Sequence, residues 1–134
     1  MAKITTVHKG DMLFETELGN HKLLVDVPAG MGGSDRGPTP PEVFVASLGG
    51  CVAALIGNYC NKAGIDTEGM TVDVTYEKVS DPTRLTDIRV HVDLPHGDIS
   101  GREKALIRVA ERCPVHETIC RMDSVGIEVS GKSE

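Results

Sequence analysis

Thr39-Pro40-Pro41-Glu42-Val43-Phe44-Val45-Ala46-Ser47-Leu48-Gly49-Gly50-Cys51 leads into the longest uncharged run of the chain, which includes the eighteen residues from Val43 through Cys60. Thr39 and Glu42 have the T-x-x-E spacing of a capping box, and Pro40 stands where a first helical residue tolerates proline. The run therefore predicts a helix from about Pro40 to Lys62, stopped by Gly64. Eighteen uncharged residues is the lower limit for a membrane span. Gly49, Gly50, Gly57 and Asn58 keep this run only moderately apolar, and no second such run accompanies it. It reads as a core helix, wrapped by its own sheet or by a second subunit.

Upstream, PAGMGGSDRGPTPP (residues 28–41) holds four Pro and four Gly in fourteen residues, a tightly constrained loop. No Lys-Ser or Lys-Thr follows its glycines, so it does not cradle phosphate. Before it, Ile4–Val7, Met12–Leu18 and His21–Val27 read as strands, the last two joined by the hairpin signal Gly19-Asn20. Downstream, Met70–Val79 and Leu85–Leu94 alternate as strands about the turn Ser80-Asp81-Pro82-Thr83. Ser100-Gly101-Arg102-Glu103 is a second capping-box spacing, opening a helix with Leu106, Val109, Ala110 and Cys113 on one face. Pro114 ends that helix and begins a short one reaching Met122; Val125, Ile127 and Val129 alternate as a final strand. The order predicts one α+β domain over residues 1–134, with antiparallel sheets packed on a long buried central helix.

The 134 residues carry a net charge of -6. Up to residue 67 there are 5 Lys and Arg against 7 Asp and Glu, and beyond it 9 against 13, so neither half is basic. That argues against nucleic-acid and polybasic membrane surfaces. Aromatics make up only 3% of the chain, too few for base-stacking platforms. Met1–Leu13 contains no apolar signal core, so a cytoplasmic location is expected, where the four cysteines are thiols.

Two of those thiols stand where chemistry would choose. Cys51 lies among Gly49, Gly50, Ala53 and Ala54, whose small side chains leave its sulfur approachable. Cys113 directly precedes Pro114 and is placed at the N-cap of the short helix, where free N–H groups favour a thiolate. Each is also readable as a small buried hydrophobe.

Residues 37–51 and Cys113-Pro114-Val115 resemble the paired cysteine signatures of the OsmC/Ohr family, and the order of elements extends the resemblance over nearly the whole chain. Leu48-Gly49-Gly50-Cys51 is similar to its less characterised OsmC-like branch. The resemblance implies an intertwined homodimer with thiol sites at the subunit interface and no metal or organic cofactor. It further implies reduction of organic hydroperoxides, with electrons from an external thiol or dithiol. By that resemblance Cys51 matches the peroxidatic cysteine, Cys113 the resolving one, and Glu42 a glutamate that helps hold an arginine beside the thiolate. Nine residues of ideal helix separate Glu42 from Cys51, about 900° of rotation, so on a straight helix they face opposite sides. The activating arginine of the peroxidases comes from the N-terminal strands. Here no Arg precedes Arg36, which becomes the substitute, with His8 and Lys9 as weaker alternatives.

Two other classes compete. Cys113, His116 and Cys120 at i, i+3 and i+7, joined by Cys60, make a Cys₃His inventory for structural zinc, although no C-x₂-C pair is present. Otherwise Cys60 and Cys120 are expected to be buried packing residues. The third class is a ligand-binding or structural dimer whose thiols are inactive.

Overall fold

A computed structural model describes residues 1–132. Over these residues the chain is α+β, with three strands, a single 3₁₀ turn, a long helix, two strands and two short helices in order. It divides into two compact units, one of Met1–Gly49 with Val74–Val90, the other of Gly50–Asp73 with the chain from His91 onward.

Strands β1 (Thr5–Gly10), β2 (Leu13–Leu18) and β3 (His21–Val25) form an antiparallel meander. Gly19-Asn20 makes the two-residue turn the sequence signals, closing on the pair Leu18 and His21. Gly19 takes φ +63°, the left-handed conformation such a turn requires. A register shift between His8 and Gly10 marks the other hairpin, where His8 Nε2 bonds the Asp11 carbonyl at 2.8 Å.

The helix α1 (Pro40–Ala63) is unbroken through Gly49-Gly50. Its capping box is formed: Thr39 N and Oγ1 each donate to Glu42 Oε1 at 2.9 Å, and Glu42 N donates to Thr39 Oγ1 at 3.4 Å. Thr39→Ala removes this cap and should cost about 1 kcal/mol, read as a lowered midpoint in denaturant titration. Val45, Leu48, Val52, Ile56 and Cys60 are buried, at helical spacings of three and four. The rest of α1 is more open: Phe44 keeps 43% of its surface and Ala46, Gly50, Ala54 and Asn58 are exposed. The helix has the length and composition of a membrane span, but this buried stripe is that of a core helix.

Strands β4 (Thr71–Val79) and β5 (Arg84–Asp93) pair as a second sheet around the expected turn. Helices α2 (Glu103–Glu111) and α3 (Pro114–Arg121) follow. In the second unit the buried apolar side chains are Val52, Ile56, Cys60, Ile65, Leu106 and Cys113.

Two expectations fail here. Ser100 does not cap α2: its backbone N–H donates to Asp98 at 3.0 Å, and the N-cap is Arg102, without a side-chain bond. Gly101, at φ +73°, turns the chain between them, so the S-x-x-E spacing never meets helical geometry. Nor do Val125, Ile127 and Val129 form a strand; they are 70%, 86% and 93% exposed. Alternation supplies a face but no ladder, and a strand exists only when its backbone groups find a neighbour.

Candidate active site

Cys113 is held at the junction of α2 and α3. Its N–H donates to the Ala110 carbonyl at 3.2 Å, and its own carbonyl accepts from Glu117 N at 2.9 Å. The backbone at φ -54°, ψ 126° is extended, as an N-cap should be, and Pro114 provides the first turn without needing a partner for a missing N–H. The sulfur then accepts from His116 N at 3.4 Å. The N-cap read from Cys113-Pro114 is therefore present.

Its electrostatic consequence is not the expected one. Cys113 is fully buried, and burial pushes its thiol pKa up; the Cys51 thiol beside it adds to the rise. The N–H groups of His116 and Val115 pull the other way and are outweighed. A thiolate at this cap loses more hydration than a short helix returns. Cys113 is thus a neutral thiol held in place, and not the activated thiolate that its cap suggested.

Cys51, from the middle of α1, is half-buried, and both sulfurs are free. The second unit therefore brings together two neighbouring reduced thiols, one partly open to solvent and one sealed. Such a pair can exchange two electrons with an oxidant that reaches the open sulfur.

Glu42, Arg36 and His8 lie in the first unit, each with a local partner. Glu42 serves the capping box, and its pKa is lowered by the Thr39 backbone N–H and then the Thr39 hydroxyl. Arg36 donates from Nε to Asp26 Oδ2 at 2.8 Å. His8 packs its ring 5.1 Å from that of Phe14. Of the zinc set, Cys60 is buried with its thiol pKa raised by that burial. Cys120, expected in the core, is exposed, since the last turn of α3 leaves it uncovered. Among the described residues no three His, Cys, Asp or Glu side chains gather as a metal site.

Asp26 is the residue that sequence reasoning missed. It is fully buried, and its carboxylate accepts from Val27 N at 2.7 Å, Arg36 N at 3.1 Å and Ser34 N at 3.3 Å, besides the Arg36 guanidinium. That guanidinium first, and the three N–H groups after it, hold its pKa at about 2, against burial. The Gly/Pro loop is wound around this one side chain. The available signal was an acid at the end of the apolar run His21–Val27, followed by a loop whose first cation is Arg36.

Comparison with known proteins supplies the rest. The family model for OsmC-like proteins matches residues 32–129. No curated protein matches the chain. Among solved structures, a Psychrobacter arcticus protein given a provisional role in osmotic stress induction and detoxification is 23% identical, with a TM-score of 0.77 and 88% of each chain covered. An OsmC-like protein from Mycoplasma pneumoniae is 20% identical at a TM-score of 0.74, covering 90% of this chain and 87% of that one. An organic hydroperoxide resistance protein from Legionella pneumophila is 22% identical at a TM-score of 0.62, with 87% of each chain covered. At these identities the likeness establishes the fold.

Proposed function

We propose that this chain, which belongs to the OsmC-like family, is a cytoplasmic, homodimeric thiol peroxidase that reduces organic hydroperoxides through Cys51, with Cys113 as its resolving partner. The observation that carries the reading is the adjacency of an accessible Cys51 and a sealed, neutral Cys113. The similar protein from Legionella pneumophila is an organic hydroperoxide resistance protein, which supports the choice of substrate.

The accessible sulfur meets peroxide first. Cys51 thiolate attacks the hydroxyl-bearing peroxide oxygen, an S–OH bond forms, the O–O bond breaks, and the alkoxide takes up from solvent the proton that Cys51 gave up on ionising and leaves as the alcohol. Cys51 is then a sulfenic acid. The Cys113 sulfur attacks it, forming the S–S bond, and the departing hydroxyl takes the Cys113 proton and leaves as water. That proton is available because burial keeps Cys113 protonated until this step. An external dithiol reduces the disulfide and is itself oxidised.

The test is a thiol count on reduced protein mixed with cumene hydroperoxide. The expected result is rapid loss of two thiols per chain, one intramolecular disulfide and one equivalent of cumyl alcohol. Thiols that stay reduced would overturn the reading and leave a binding module. A homodimer is supported by the open face of α1 and by the exposed Val125, Ile127 and Val129, more apolar surface than one chain covers. Light scattering should give twice the chain mass of 14.3 kDa; a folded monomer at micromolar concentration would refute it.

A further inference from the structure

The thiol pair leaves Cys120 unused, although α3 gives it a base. His116 Nδ1 lies 2.9 Å from the Glu111 carbonyl oxygen, which can only accept, so Nδ1 carries the ring proton. In the neutral imidazole Nε2 then has its lone pair free, and Nε2 stands 3.6 Å from Cys120 Sγ. The three groups form a chain of carbonyl, imidazole and thiol: the first orients the second, and the second can take the proton of the third. The i, i+4 spacing on α3 aligns ring and sulfur, and Cys120 is exposed. A merely structural cysteine needs neither an oriented base nor access to solvent.

We infer that Cys120, with His116 as its base, is a second reactive thiol site, one that forms mixed disulfides with small disulfides of the glutathione class. The step balances. Cys120 gives its proton to His116 Nε2 as its sulfur attacks one sulfur of RSSR. The S–S bond of RSSR breaks, the Cys120–S–S–R bond forms, and RS⁻ leaves, recovering the proton as RSH. Cys120 is oxidised, and the small disulfide is reduced by the same two electrons. Cys113 cannot serve as an internal resolving thiol for Cys120. Seven residues of helix put them about 10 Å apart along the axis, beyond the reach of a disulfide. The adduct therefore persists until an external thiol removes it. This reaction takes a small disulfide as its oxidant and consumes no peroxide.

Fully reduced protein is treated with limiting oxidised glutathione and mapped after cleavage following Glu117, which separates Cys120 from Cys113. The first adduct should lie on Cys120. With dithiodipyridine as the probe, thiopyridone release should show a fast phase that Cys120→Ser abolishes. His116→Gln keeps the backbone N–H that caps Cys113 but removes the base, and should slow that phase about tenfold. A first adduct on another cysteine, a fast phase that survives Cys120→Ser, or a wild-type rate in His116→Gln would each overturn the inference.

Discussion

Cys51→Ser should abolish consumption of tert-butyl or cumene hydroperoxide, a loss of activity to the uncatalysed background. A hydroxyl cannot pass through the sulfenic acid that the two-electron chemistry requires. Cys113→Ser should behave differently. One equivalent of peroxide is still consumed rapidly, because the half-open Cys51 is untouched. Without its neighbour the sulfenic acid persists, and further peroxide carries it to sulfinic acid, detected as two added oxygens by intact mass. The same substitution replaces the sulfur that caps α3, so circular dichroism should accompany the assay. Wild-type turnover in Cys51→Ser would remove the thiol-enzyme reading altogether.

The largest stability effects should come from the loop around Asp26. Asp26→Ala leaves three backbone N–H groups and the Arg36 guanidinium without their acceptor. It should lower the melting temperature by several degrees. Gly33→Ala attacks the same knot sterically. A Cβ there would stand against the Val27 carbonyl oxygen, 2.5 Å from Asp26 Oδ1 and 2.7 Å from Val27 Cγ2. The loop must open to admit it. Acid should act as Asp26→Ala does. The Asp26 pKa falls from 3.8 to about 2 on folding, so its contribution is complete above about pH 4 and is lost as pH drops towards 2. Thermal melts between pH 5 and pH 2 should lose part of this slope in Asp26→Ala; an unchanged slope would exclude Asp26 as its source.

What was legible in the sequence is what is decided within a few residues. Thr39 and Glu42, Gly19-Asn20, and Cys113-Pro114 each encode a local geometry that nothing distant overrides. Ser100 shows the limit of that logic. Its spacing is right, but Asp98 reaches its N–H first. Val125 to Val129 shows a second limit, since a strand depends on a partner that no local pattern specifies. Of the candidate site, both cysteines stand out by their settings, but not which of them is open and which sealed. Burial decides that, and burial of Cys113 is a property of the assembled unit. Asp26 was invisible for the same reason: an acid is read as solvated until the loop that encloses it is seen.

In the proposed cycle Cys113 uses one sulfur for two purposes, and they compete. As a thiol it receives the amide proton of His116 and secures the first turn of an eight-residue helix, a length with little helical stability of its own. Drawn into a bond with Cys51, the sulfur leaves that line and the His116 amide loses its acceptor. In that cycle electron transfer would be converted into fraying. The hydrogen-exchange rate of a single amide, at a residue that need not touch peroxide, should then rise with the fraction of chains in which the two sulfurs are joined.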